Sequence, residues 1–234
     1  MRVLLVSPSR IVRDCFISEL IPRGIVLSWC ENVSDALSEM REKKTTFDVM
    51  VLESVSKYDT INFLSMFGGL EVRPIIVLYT EIHSHEELYD YLKLGVGGFL
   101  QKPLNPKNIF PVITRAYENF KGAPPERKVV RVQLEEGEGI VEFTSKSGIR
   151  VIGNIIDLSV GGLAFSFAPK YANAFEEGEE IHYLKLILRS DETSLRGRVK
   201  AKDNERRVGV VIFTELNVDA VQKISRFIFF KTSA

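Results

Sequence analysis

Arg127 and Arg131 stand four residues apart, and twenty-six residues beyond the second lies Asp157-Leu158-Ser159-Val160-Gly161-Gly162. Guanidinium meets phosphate oxygens, or the O6 and N7 acceptors of guanine, with a two-pronged fork, and it can lie flat on a purine ring. Lysine does neither well. On an extended segment the two arginines lie on the same side. Asp157 can accept from guanine N1–H and N2–H, and the Ser159 hydroxyl adds a donor to phosphate or an acceptor to an amino group. Gly161 and Gly162 are expected to take positive φ and to let backbone approach a ligand. The chemistry these groups allow is the capture of a small anionic ligand by a few well-placed cations. Each motif alone has a plainer explanation: the arginines as solvating charge, the aspartate segment as a common turn. The two together, in this order and spacing, are specific. Glu126, directly before Arg127, sets an anion beside the phosphate-binding charge, and the pattern is compatible with one ligand molecule or two.

These residues need a scaffold, and the hydropathy pattern supplies it. From Val129 the apolar period is two, in segments 129–134, 139–144, 150–156, 163–167, 181–188, 195–202 and 208–213. Turn signals such as Glu136-Gly137, Lys146-Ser147-Gly148, Gly161-Gly162 and Asp203-Asn204 separate them. Six or seven short strands at this spacing predict an antiparallel barrel or sandwich. A final helical segment, 219–230, brings Val221, Ile224, Phe227 and Ile228 to one face and is expected to plug it.

Up to about Lys121 the pattern is different. Apolar runs 3–6, 25–29, 49–52, 75–79 and 99–100 alternate with amphipathic stretches 11–20, 36–43, 61–67, 86–94 and 109–120. Fivefold strand-helix alternation predicts a doubly wound α/β domain, a parallel sheet covered on both faces. Helix starts are expected at Ser34-Asp35, at a Ser84/Glu87 capping box and at Asn105-Pro106. Lys121-Gly122-Ala123-Pro124-Pro125 breaks the pattern, because paired prolines cannot continue a helix. The organisation expected is therefore a domain at 1–120, a linker at 121–125 and a second domain at 126–234.

Composition fits two domains of about 100–120 residues each: the chain has 234 residues, 45% apolar and 26% charged. Lys plus Arg is 31 and Asp plus Glu is 31. Zero net charge argues against holding duplex nucleic acid or anionic membrane by bulk charge, since such binding needs a cationic surplus. Cys15 and Cys30 make no disulfide framework and read as thiols in a reducing compartment. Met1–Pro8 holds only four consecutive apolar residues, too few for a signal peptide, and no stretch approaches a membrane span. A cytoplasmic location without membrane insertion is expected.

Residues 126–230 resemble the PilZ family of bacterial cyclic di-GMP receptors. The resemblance rests on R-x-x-x-R, D-x-S-x-x-G, the Gly153-to-Asp157 approach, Arg196-Gly-Arg-Val and the Gly209-to-Thr214 strand. It implies a β-barrel with a C-terminal helix, and cyclic di-GMP as ligand held by Arg127, Arg131, Asp157, Ser159 and Gly162, with no other cofactor. Residues 1–120 resemble a response-regulator receiver domain, through Gly95-Val-Gly-Gly-Phe-Leu-Gln-Lys102-Pro103-Leu104, Phe47 to Glu53 and Arg73-Pro74 to Thr80. That resemblance implies a five-stranded, flavodoxin-like parallel sheet. Its chemistry departs from the family: Ser7, Pro8 and Ser9 replace the acidic pair that would hold Mg²⁺, and Glu53 stands at the phosphoacceptor position. Neither metal nor phosphorylation is expected. Glu53 either pairs with Lys102 or is solvated, and either Tyr79 or Thr80 takes the hydroxyl position.

The function this implies is a non-enzymatic, motility- or surface-related effector. Ligand binding would change the disposition of its domains and signal to an unidentified protein partner. Alternatives are an interaction scaffold whose barrel has lost its ligand, or a phosphorylation-controlled regulator. His83, His85 and His182 lack metal-ligand spacing. Leu158-Ser159-Val160-Gly161 lacks the glycine and context of a hydrolase nucleophile elbow. The acidic runs 135–138 and 176–180 read as solvated turns, and Tyr89, Tyr91, Tyr117 and Phe120 as core or inter-domain surface. No helix-turn-helix or basic stripe appears.

Overall fold

The computed structural model describes residues 1–42, 46–54, 56–66, 72–81, 84–121 and 130–232. It divides into two compact units, Met1–Lys128 and Val129–Thr232. The first holds strands β1 (Arg2–Val6), β2 (Val26–Cys30), β3 (Val49–Glu53), β4 (Ile75–Thr80) and β5 (Val96–Gln101). All pair in parallel, in the order β2-β1-β3-β4-β5. This is the receiver and flavodoxin-like order. Helices α1 (Arg10–Leu20), α2 (Val33–Glu42), α3 (Lys57–Met66), α4 (His85–Lys93) and α5 (Pro106–Lys121) connect the strands and flank them. Strand residues are apolar on both sides because both sheet faces are covered. Leu4, Val6, Met50, Leu52, Ile76 and Leu78 pack with residues of α2, α3 and α4. Phe16, Ile17 and Leu20 of α1 and Ile109 and Ile113 of α5 are also buried, and α1 and α5 touch each other.

Two local expectations need correction. The α2 start is capped by Asn32, whose Oδ1 accepts from Asp35 N at 2.9 Å, so Ser34 and Asp35 lie inside the first turn. The fifth strand runs from Val96 rather than Phe99. Gly97 and Gly98 fall outside the apolar run but lie in the strand, where a Cβ on Gly97 would come within 2.7 Å of Ile75 Cγ2 and 3.0 Å of the Phe120 ring. At Ser84 the cap is as expected, accepting from Glu87 N at 3.1 Å. Glu87 also accepts from the Tyr91 hydroxyl. Of the four aromatics singled out, Tyr91 and Tyr117 are buried and Tyr89 and Phe120 exposed.

The second unit holds β6 (Arg131–Gln133), β7 (Gly139–Thr144), β8 (Arg150–Ser159), β9 (Gly162–Phe167), β10 (Glu180–Leu188), β11 (Asp191–Asp203), β12 (Val208–Glu215) and α6 (Val218–Thr232). Strands β8-β7-β10-β11-β12-β9 are antiparallel neighbours, and β9 pairs back onto β8, closing a six-stranded barrel. β6 adds to the C-terminal half of β8. Closure removes the open edges that a sandwich would keep. Phe143, Phe165, Phe167 and Phe175 fill the interior with ring centroids 5.2–6.2 Å apart, mostly edge-on. The buried face of α6, with Ile224, Phe227 and Ile228, packs against β6, β8 and β11.

The acidic runs are not merely solvated. Glu138 accepts from Lys231 Nζ at 2.6 Å, Arg189 Nη2 at 2.8 Å and its oxygens also bond Glu135 N at 2.9 Å. The Lys231 ammonium first, and the Arg189 guanidinium next, hold its carboxyl down to about 2 from an ordinary 4.5. A depressed folded-state pKa contributes stability that is complete above the unfolded value and is lost as pH falls through the folded one. The advantage of the native chain over Glu138→Gln in urea midpoint should therefore be constant at neutral pH and shrink between pH 4.5 and about 2. A gap that stays constant across that window would reject this role. Glu179 likewise holds a loop, accepting from Lys146 N at 2.6 Å and Glu176 N at 3.1 Å.

Candidate ligand-binding site

β6 and β8 bring the two motifs together. Their register sets Arg131 opposite Ser159 and Gln133 opposite Asp157. β6 alternates exposed, buried, exposed, so Val132 enters the core and Arg131 points outward. Its Nη1 lies 3.2 Å from Asp157 Oδ1, with the arginine side chain 59% and the aspartate 19% exposed. An ion pair this open contributes little to stability, so the guanidinium retains donors for a ligand. Arg127 and Glu126, and the segment 122–125, lie outside the described residues.

The other two site residues take different places. Ser159 is 1% exposed and its hydroxyl donates to the Gly162 carbonyl at 3.1 Å, across the two-residue turn from β8 to β9. Its hydroxyl thereby ties the two ends of the turn together. Among the described residues, positive φ occurs at Gly24, Gly95, Gly137, Gly148 and Gly178, and at neither Gly161 nor Gly162. The requirement at Gly162 is close packing, because a Cβ there would lie 2.4 Å from the Val211 carbonyl oxygen. A depression of about 640 Å³ on the barrel surface lies elsewhere, lined by Thr144, Lys146, His182, Tyr183 and the glutamates 176, 177, 179 and 180. Its carboxylates oppose an anionic ligand, and it shares no residue with the Arg131–Asp157 pair.

Residues 126–230 match the PilZ domain family. The second unit is a PilZ domain. The PilZ domain of YcgR from Escherichia coli, solved with c-di-GMP, is similar at 12% identity over 45% of this chain and 91% of that one, with a TM-score of 0.39. The MrkH–c-di-GMP complex of K. pneumonia is similar at 18% identity over 46% of this chain and 52% of that one, TM-score 0.36. A response regulator from Thermotoga maritima is similar at 14% identity over 50% of this chain and 97% of that one, TM-score 0.46. No curated protein matches the chain.

In the first unit, the carboxyl edge of the sheet gathers Ser7, Glu53 and Lys102, which follow or end β1, β3 and β5. Glu53 Oε1 pairs with Lys102 Nζ at 2.9 Å, and its Oε2 accepts from the Ser7 hydroxyl at 2.5 Å. Of the two states open in sequence, the structure takes the paired one. Lys102 also donates to the Ser54 carbonyl at 3.1 Å and sits 5.1 Å from the Tyr79 ring centre. Burial, and then the Glu53 charge, pushes the Tyr79 phenol up, while the Thr80 hydroxyl bonds the Glu81 carbonyl. The residues do not fit Mg²⁺: one carboxylate is present where near-octahedral oxygen ligation needs more, and an ammonium already occupies it. No group of three potential metal ligands occurs among the described residues. Incubation with acetyl phosphate and Mg²⁺ should leave the intact mass unchanged; a stable phosphoryl adduct would refute this.

Proposed function

We propose that the PilZ domain is a receptor for cyclic di-GMP. Arg131 and Asp157 grip a guanine and its neighbouring phosphate, and Arg127 supplies a second cation from the segment that precedes β6. The observation that carries this reading is the outward Arg131 guanidinium held 3.2 Å from Asp157 beside the β8–β9 turn, in a domain whose family match spans both motifs. A fork donor next to a carboxylate complements the acceptor edge and the N–H edge of guanine together. Ser159 acts as a positioning residue that holds the turn through Gly162, and Gly162 lets β9 run close to β12.

The chain acts by binding and not by catalysis. Its first unit, locked by Glu53–Lys102, serves as a fixed protein-interaction module, and its output runs through a cytoplasmic protein partner in motility or surface behaviour. Because Arg127 and Arg131 closely follow residues 121–125, ligand binding changes the disposition of the two units. No helix among the described residues is long and apolar enough to cross a membrane. Calorimetric titration tests the ligand: saturable heat with cyclic di-GMP, and none with GMP or cyclic di-AMP at equal concentration, is the expected result. No heat with cyclic di-GMP rejects the proposal.

A further inference from the structure

Cross-strand register draws one row of outward positions around the barrel. Arg131 on β6 faces Ser159 on β8, Ser159 faces Gly162 on β9, Gly162 faces Ile212 on β12, and Ile212 faces Arg198 on β11. The adjacent row runs Gln133, Asp157, Ala164, Val210 and Ala201. The alternate positions Leu163, Phe165, Val199 and Val211 fill the core, so both rows lie on the outer face. Between the two guanidinium groups, beyond the buried Ser159 and the Asp157 carboxylate of β8, the surface carries glycine, alanine, valine and isoleucine, with Val210 and Ile212 half-buried. It is an apolar strip across β9 and β12, with a guanidinium at each end.

We infer that Arg198 is a further ligand-binding guanidinium of this same site, in addition to Arg131 and Arg127, holding the far guanine and phosphate of the cyclic dinucleotide across the strip from Arg131 and Asp157. The inference rests on the cyclic di-GMP reading above and extends it to β11. Three interstrand steps of about 4.8 Å separate β8 from β11, so one small base cannot engage both ends, whereas a ligand with two purines and two phosphates can. The apolar strip suits the faces of the bases, and each end offers the fork that recognises guanine or phosphate.

Arg198 is also available for such a role. Its contact with Glu180 is long, 3.9 Å, and both side chains are about half exposed, a pairing of little energetic weight. It lines a depression of about 200 Å³ together with Lys200, Gly178 and Ile212, and with Glu177, whose charge a bound ligand must tolerate. Arg196, the preceding outward cation of β11, is already engaged with Glu215 at 2.9 Å.

Titration of the full chain with cyclic di-GMP tests the assignment with four variants. Arg198→Ala should weaken binding about tenfold, the loss of roughly one charge-assisted contact, with an unchanged urea midpoint. Arg198→Lys should recover less than half of that loss, because an ammonium lacks the fork. Glu180→Gln, which removes the partner but keeps the cation, should bind as tightly as the native chain or tighter. Arg131→Ala sets the scale of losing the near end. If Arg198→Ala and Arg198→Lys both bind like the native chain while Arg131→Ala does not, the inference is overturned and the ligand reading stands. Equal weakening by Arg198→Ala and Glu180→Gln also overturns it, since the ion pair and not the cation would then matter. Absence of binding by the native chain removes both.

Discussion

Arg131→Ala is expected to lower the affinity for cyclic di-GMP about 100-fold. A hydrogen bond to a charged group contributes about 1.5–3 kcal/mol, and a two-pronged contact lies at the upper end. At about 1.4 kcal/mol per factor of ten, one such contact accounts for one to two orders of magnitude. The variant also leaves the Asp157 carboxylate, now without the cation 3.2 Å away, facing the ligand's phosphates. That repulsion places the loss at the larger value. Arg131→Lys restores charge but not the fork and should fall between the two. Because Arg131 is outward and its ion pair open to solvent, neither change should move the unfolding midpoint. Affinity in Arg131→Ala within about threefold of the native chain would show that the guanidinium is not a ligand group.

The largest effect on stability is expected at Phe165. Its ring is fully buried, meets Phe143 at 90° and 5.9 Å, and lies 5.8 Å from Phe175 and 6.2 Å from Phe167. Two glycines clear the space around it: a Cβ on Gly153 would come within 2.4 Å of the ring, and one on Gly209 within 2.5 Å. Neither neighbour has a side chain that could swing into a vacated site, so the cavity in Phe165→Ala cannot collapse easily. Phe→Ala in a packed core costs about 3–5 kcal/mol, and this geometry favours the upper half. With a urea dependence of about 1–3 kcal/mol per molar, the barrel's transition, followed by circular dichroism, should move down by about 2 M. A shift under about 0.5 M would mean that the aromatic cluster does not hold the barrel closed.

The sequence was informative where one residue type answers to one local demand. Val49–Leu52 and Ile75–Tyr79 read as buried parallel strands because apolar residues fill both faces, and Ser84 read as a cap because its oxygen serves a nearby N–H. The Arg131–Asp157 encounter was legible as two motifs on one small domain. What escaped depended on register or distance along the chain. Ser159 appears in its motif as a ligand group, yet hairpin closure turns its hydroxyl to Gly162. Glu138 sits in a run of glutamates and looks solvated, because its partners Arg189 and Lys231 lie 51 and 93 residues away. Arg198 shows only as an alternating cation in Arg196-Gly-Arg-Val-Lys200. Its alignment with Arg131 exists only once five strands are set side by side.

Strand β6 has consequences for motion as well as for recognition. It is three residues long and hydrogen-bonds to a single neighbour through the register pairs at 131, 132 and 133, whereas every strand of the closed ring has a partner on each edge. Short, one-sided segments detach at a smaller free-energy cost than the body of a fold. Arg131, the cation proposed to grip the ligand, is thus mounted on a short, one-sided strand at the margin of the barrel. Occupancy should act as a clasp there, slowing amide exchange at Val132 far more than at Val211 in the interior.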